Sequence, residues 1–241
     1  MSIPMRYIKT AMHYWLTISR HALSVSWVLA TLFLAACSST PTDSQKDSKQ
    51  NTTSGAASSE GGIPAGFDVD APDENPYLAD QSDGPSASRS LFKNAIAAMQ
   101  QENWKQAEVL LQQLTTEYPK LSGPFLNLGI VYHHLEREGD AEKALNAAIN
   151  ANALNLDAYN QLGWLLREQG RFSEAETQYK KAIAIWPKHA PSHKNIGILY
   201  DLYLGEFAKA LNHYEIYQYL QGEPNRQMAG WIIDLKRRIG N

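Results

Sequence analysis

The sequence predicts an all-α fold, a solenoid of helical hairpins stacked behind a disordered tether, and three observations carry that prediction. Gly129, Gly163 and Gly197 stand 34 residues apart, each preceded by an aliphatic residue, Leu128, Leu162 and Ile196. Self-similarity at that period marks a unit of two helices that buries its apolar face only by stacking on its neighbours. From about residue 88 onward apolar positions follow a helical period, whereas residues 38 to 88 are mostly Ser, Thr, Gly, Pro, Asp and Gln. The latter composition holds too little apolar surface to offset the entropy of ordering.

Residues 1–36 carry Arg6, Lys9 and Arg20, no acid, and then the apolar run ALSVSWVLATLFLAA. A basic start, a short apolar segment and a small-residue exit describe a secretory signal. At 15 residues the run falls short of the roughly 20 that cross a bilayer as a helix, which weighs against its alternative, a retained anchor. Met5 or Met12 as the first residue would give a leader of more usual length. The single cysteine of the chain, Cys37, follows at once. Leu34-Ala35-Ala36-Cys37 resembles the lipobox of bacterial lipoproteins, which implies cleavage before Cys37 and a covalent lipid on its sulfur and amino group. Acyl chains, at about 0.8 kcal/mol per buried CH₂, would then hold the chain to a membrane. Ser38 in place of Asp implies, by the same resemblance, the outer membrane of a Gram-negative envelope, with the protein facing the periplasm. One cysteine forms no intrachain disulfide. Removing the three basic residues of the leader takes the net charge from −3 to −6. Without the basic footprint that phosphate backbones require, nucleic acid is excluded as a partner.

The tether is read as residues 37–87. Within it, IPAGFDVDAPDENPYLADQSDG (63–84) holds Asp68, Asp70, Asp73, Glu74, Asp80 and Asp83, no Lys or Arg, and the apolar beads Phe67, Val69, Tyr77 and Leu78. Two readings stay open: plain linker, or a docking segment that orders on a partner or on the groove of its own chain.

Residues 88–224 divide into about four units. The third is clearest, placing Tyr159, Leu162, Gly163, Leu166, Gly170, Phe172, Ala175, Tyr179, Ala182 and Pro187 at spacings that resemble the tetratricopeptide repeat. A small residue at Gly163 lets paired helices approach, Ala175 and Ala182 do so from the second helix, and Pro187 cannot continue a helix. The first unit has Ala95 in the glycine place, with Trp104, Ala107, Leu111, Leu114 and Pro119. The second has Phe125, Leu128, Gly129 and Tyr132, and its second helix fits either Ala141-Leu145-Ala148 or Ala144-Ala148-Ala151. A turn is expected at Gly139-Asp140, and Ala153 in the proline place suggests a helix that runs on or bends. The fourth carries one extra residue before Gly205, between Tyr200 and Phe207. Residues 225–241 place Met228, Trp231, Ile232, Leu235 and Ile239 on one helical face, as a capping helix requires, with Lys236-Arg237-Arg238 at its negative end.

No catalytic constellation is visible, so an enzyme is not expected. There is no HExxH, phosphate-cradling glycine loop or nucleophile elbow. His133-His134 point apart on a helix and His189/His193 straddle Pro191, so no metal site is assigned. Apart from lipid on Cys37 no cofactor is implied. Stacked hairpins do supply a concave face, and stepping by 34 gives three rows across it: Phe92, Leu126, Asn160, Lys194; Ile96, Ile130, Trp164, Ile198; Met99, His133, Arg167, Asp201. From these rows Leu126, Ile130, His133, Asn160, Trp164, Arg167, Lys194, Ile198 and Asp201 are taken as a peptide-binding groove, with inter-unit packing as the other reading of the apolar row. Asn127, Asn195 and Lys194 only partly echo the carboxylate clamps of the family, and that activity is not carried over. The resemblance implies a lipid-anchored scaffold that binds another envelope protein or peptide, in pilus or secretin assembly, a peptidoglycan-enzyme complex or energised transport. The alternative is a self-associating structural lipoprotein, a homo-oligomer whose groove is filled by the acidic segment.

Overall fold

A short N-terminal segment, four helical hairpins and a closing helix make up the described part of the molecule. The computed structural model describes residues 62–79, 85–223 and 225–240, all within one compact unit spanning 60–241. The leader, Cys37 and the tether to residue 61 lie outside the described residues. Helices α1 (Ser86–Gln100) and α2 (Trp104–Glu117) form the first hairpin, and α3 (Ser122–His134) and α4 (Glu138–Ala151) the second. The third is α5 (Leu156–Glu168) with α6 (Phe172–Ile185). The fourth pairs α7 (Ala190–Ile198), which runs on as a π-helical segment Leu199–Leu204, with α8 (Phe207–Gln221); α9 (Arg226–Ile239) follows. No strand occurs among the described residues.

The 34-residue rhythm is written in the backbone as well as in the side chains. Each hairpin turn reverses at a left-handed residue: Glu102 (φ 56°), Glu136 (φ 57°), Gly170 (φ 75°) and Gly205 (φ 68°). In the first three turns the N–H groups of Asn103, Arg137 and Arg171 donate to the carbonyls of Ala98, Tyr132 and Leu166, the six-to-one bond that caps helices ending in this way. The second turn is therefore at Glu136, not at Gly139-Asp140. Those two residues lie in the first turn of α4, where an acid is favoured by the helix dipole. In the fourth hairpin the left-handed residue comes one position late, and the N–H of Glu206 reaches back to Tyr200. The extra residue is absorbed as the π segment, which widens the helix locally instead of shifting everything after it.

Loops between hairpins are also periodic, with Tyr118, Asn152 and Trp186 leaving the helical region one residue past α2, α4 and α6. So α4 neither runs on nor bends for want of a proline at Ala153. Asn152 is extended and its Oδ1 accepts the N–H of Leu154 at 2.8 Å, which closes the helix by side-chain means.

Packing explains the glycines. A Cβ on Gly163 would sit 2.7 Å from Tyr179 Cε1, on Gly197 2.6 Å from Tyr214 Cδ1, and on Gly129 2.7 Å from Leu145 Cγ. One contact between first and second helix recurs three times, and it selects the Ala141-Leu145-Ala148 register in the second unit. Ala141, Leu145 and Ala148 are buried there, with Ala144 close behind. In the first unit the larger Ala95 is fully buried. First helices of adjoining hairpins also touch directly, α3 with α5 and α5 with α7, which places the first helices on the inner side of the array. Helix α9 closes the far end: Met228 and Leu235 are buried, Trp231 lies 5.4 Å from the Tyr214 ring, and Lys236 and Arg238 pair with Glu215 and Asp201.

The acidic segment departs from the flexible reading. Over residues 62–79 it is seated against the array, with Pro64, Phe67 and Ala71 buried and one helical turn at Pro76–Ala79. Aromatic and alanine side chains, spaced by acids that stay in water, supply the burial that a purely polar tether lacks.

Candidate functional site

The inner face is built from α1, α3, α5 and α7, and its most distinctive feature is a run of rings. Trp104, the first residue of α2, stacks on His134 at 3.8 Å with planes 4° apart. His134 meets His133 at 5.9 Å, and His133 stands edge-on to Trp164 at 4.5 Å and 89°. All four rings are half-buried. The ribbon therefore runs from the middle of the inner face to the edge where the hairpins turn. Glu138 binds His133 Nδ1 at 2.9 Å and fixes that ring. Burial between Trp104 and its neighbours pulls the His134 pKa below its ordinary value, with the His133 charge acting in the same sense.

Three cations on or just after the first helices are held in different ways. Arg167 is buried, 8% exposed; its Nε and Nη2 donate to Glu168 Oε1 at 3.3 and 3.1 Å, and its guanidinium lies 5.7 Å from the Tyr203 ring. Tyr203 tilts on Phe172 at 5.0 Å. Lys194 lies 5.8 Å from the Tyr217 ring, and burial lowers its pKa. Among the described residues it makes no ion pair. Arg137 is spent structurally, bridging Glu108 and Asp140 over the Tyr132 ring.

The predicted groove residues divide accordingly. His133 and Trp164 are brought together across adjoining first helices, although stepping by 34 sets Trp164 beside Ile130 and Arg167 beside His133. Leu126, Ile130 and Ile198 are half-buried among them. Asn160 is buried, and its Oδ1 already accepts from Asn195 Nδ2 at 3.0 Å and Ser192 Oγ at 3.4 Å. Asp201 turns elsewhere: its carboxylate accepts from Arg238 of α9 and Tyr214 of α8 at 3.3 and 3.4 Å. Counting by 34 misplaces it because the π segment begins two residues earlier, at Leu199. The same segment leaves Leu202 and Tyr203 67% and 42% exposed. Sequence reasoning missed Trp104, His134 and Tyr203; the extra residue before Gly205 was the signal for the last.

The other described histidines are structural. His189 pairs with Ser192 and Asp157. His193 Nε2 meets the Pro187 carbonyl at 2.9 Å, which only accepts, so this nitrogen carries the proton; its bare Nδ1 then accepts from His213 Nδ1–H at 2.9 Å. No group of three or more metal-ligating side chains occurs among the described residues. Nor is any described helix long and apolar enough to cross a membrane.

Comparison with known proteins agrees with this architecture. Residues 89–120 and 126–188 each match a family model described as tetratricopeptide repeat. Among solved structures the chain resembles pilF of Pseudomonas aeruginosa, with a TM-score of 0.58 and 21% identity over 63% of this chain and 68% of that one. MamA is similar too, with a TM-score of 0.53 and 20% identity over 61% of this chain and 84% of that one. So is MamA of Desulfovibrio magneticus RS-1, at 0.54 and 13% over 65% and 87%. At these identities the likeness is one of fold. No protein of curated function matches the chain.

Proposed function

We propose that this chain, a tetratricopeptide repeat protein, serves as a lipid-moored scaffold that binds a segment of another cell-envelope protein on its inner face. The observation that carries the binding reading is the ring ribbon Trp104–His134–His133–Trp164 on the inner face. Half-buried rings suit a partner segment that carries apolar side chains, and Lys194 of α7, which makes no ion pair among the described residues, suits an acid in it: the rings supply contact area at little entropic cost, and the cation orients the acid. Nothing in the ribbon resembles a nucleophile with its base, so the inner face is read as a binding surface and not as a catalytic one. Mooring through lipid on Cys37 rests on the Leu34-Ala35-Ala36-Cys37 resemblance, and the periplasmic side of the outer membrane on Ser38.

Crosslinking pull-down from membranes with the Cys37-intact protein, run beside Trp164→Ala, tests both parts. Removing a ring at the centre of an interface typically costs 2 kcal/mol or more, about 30-fold in affinity. The expected outcome is loss of the crosslinked partner with little change in melting temperature. A large fall in melting temperature with capture intact would make Trp164 a packing residue. Cys37→Ala is expected to move the chain from membrane to soluble fractions; unchanged fractionation would point to a retained anchor.

A further inference from the structure

The ring ribbon reaches one edge of the array, where hairpins turn. The opposite edge, where each second helix passes to the next first helix, carries residues 62–79. This segment is pinned at three places. Phe67, 9% exposed, sits edge-on to Tyr219 of α8 at 5.6 Å and to His193 of α7 at 6.3 Å, in the fourth hairpin. Next, the indole N–H of Trp186 donates to the Pro72 carbonyl at 2.8 Å, and Lys188 pairs with Asp73 at 2.6 Å, on the loop between third and fourth hairpins. Lys188 is 15% exposed and Asp73 98%, so the acid comes to a largely covered cation from the solvent side. Last, the Tyr77 hydroxyl bonds Ser122 Oγ at 2.9 Å, and Asn155 Nδ2 donates to that same Ser122 oxygen at 3.1 Å and to the Tyr77 hydroxyl at 3.5 Å. Asn155 Oδ1 accepts the N–H of Ala158 and so fixes which way the amide points. Ser122 opens α3 and Asn155 caps α5, so Tyr77 holds the second and third hairpins together.

The order of the pins runs against the order of the hairpins: residue 67 on the fourth, 72 and 73 between fourth and third, 77 between third and second. In a solenoid each unit touches only its neighbours, and stability is a sum of unit and nearest-neighbour terms, so units at the ends fray and the stack bends. Contacts between Pro72 and Trp186, 114 residues apart in the chain, belong to neither class.

We propose that residues 62–79 are a clamp which, seated along the loop edge, ties the second, third and fourth hairpins into one cooperative body and holds the inner face at one width. Acids Asp68, Asp70 and Glu74 stay exposed between the pins, so the segment is soluble when unseated and the seat is recognised by aromatic anchors ten residues apart. The clamp requires no partner on the inner face, and its test is independent of the binding reading.

Hydrogen exchange and thermal unfolding of the full chain, compared with Phe67→Ala/Tyr77→Ala, decide it. In the unsubstituted chain the amides of Phe67, Tyr77, Leu78 and Ala79, all hydrogen-bonded here, are expected to exchange at least tenfold slower than an unstructured chain. Unfolding is expected to be a single transition. In the double variant those amides should lose protection, α7, α8 and α9 should exchange at least tenfold faster while α1 and α2 do not, and the transition should split or broaden. Tyr77→Phe, which keeps the ring, should fall between the two. Unprotected 62–79 amides in the unsubstituted chain, or an unseated segment in the double variant with α7–α9 protection and a single transition unchanged, would overturn the clamp.

Discussion

At the residue scale the repeating unit is fixed by two positions that sequence comparison between units weighs very differently. One is the glycine of the first helix, whose missing Cβ makes room for Tyr179, Tyr214 or Leu145; its 34-residue recurrence is plain in the sequence. The other is the left-handed residue at each hairpin turn, hidden because Glu fills it in the first two units and Gly in the last two. A left-handed backbone costs a residue with a Cβ roughly 1–2 kcal/mol, and glycine avoids that cost while losing some chain entropy. Glu136→Gly is therefore expected to stabilise the chain by about 1 kcal/mol, read as a higher urea midpoint at unchanged slope. Glu136→Ala, which keeps the Cβ, should not. A midpoint for Glu136→Gly below that of the unsubstituted chain would mean that the glutamate side chain does more at this turn than tolerate it.

At the element scale the fourth first-helix shows how a solenoid accommodates an insertion. A one-residue insertion in an α-helix rotates all later side chains by about 100°, which would swing buried positions into water. Here Leu199–Leu204 opens to π geometry, Gly205 takes the turn one residue late, and Phe207 to Tyr214 keep their places against α7. Removing Leu202, 67% exposed, should restore a regular helix and leave helicity and cooperative unfolding intact. Removing Glu168, exposed near the end of α5 where no π turn absorbs the change, should lower stability by several times more. Equal sensitivity to the two deletions, measured by thermal melts, would contradict this account of the π segment. The groove was legible only in outline: counting by 34 sets its residues on adjoining first helices, but the ring that His133 meets is Trp164, one row away from its counted neighbour Arg167, and Asp201, past the π onset, turns to α8 and α9.

For the whole molecule, the seat of Phe67 links the pH response to the end of the array. His193 and His213 share one hydrogen bond that is lost once both rings are charged, and burial pulls the His193 pKa down to about 4, with the nearby His189 charge adding to it. Burial, then the His193, Lys180 and Lys209 charges, lower that of His213 as well. The unfolded chain takes up protons on these rings near pH 6.5 while the folded chain refuses them until far lower, so stability is full above about 6.5 and falls as pH drops toward 4. From His193 alone the loss is about 3 kcal/mol, and the stability of His193→Gln should be flatter across that window. Constant stability of the unsubstituted chain from pH 7 to 4.5 would sink the assignment. Acid should also release the 62–79 segment, because His193 forms one wall of the Phe67 seat.

The sequence by itself determined the period, and the period determined most of the rest: hairpins of two helices, the stacking of first helices along an inner face, and the apolar inner side of α9. These follow from local patterning, since each helix must hide one face and each unit must hide its own behind the next. What only the tertiary structure decided are features that depend on residues far apart in the chain. The register of α4 is chosen by Leu145 against Gly129. The acidic segment, poor in apolar residues and indistinguishable from linker by composition, is ordered because notches for Phe67 and Tyr77 exist only once the hairpins have stacked, and because Trp186 and Lys188 wait beside them. Composition measures what a segment can bury alone, whereas its order depends on the surface that the rest of the chain presents.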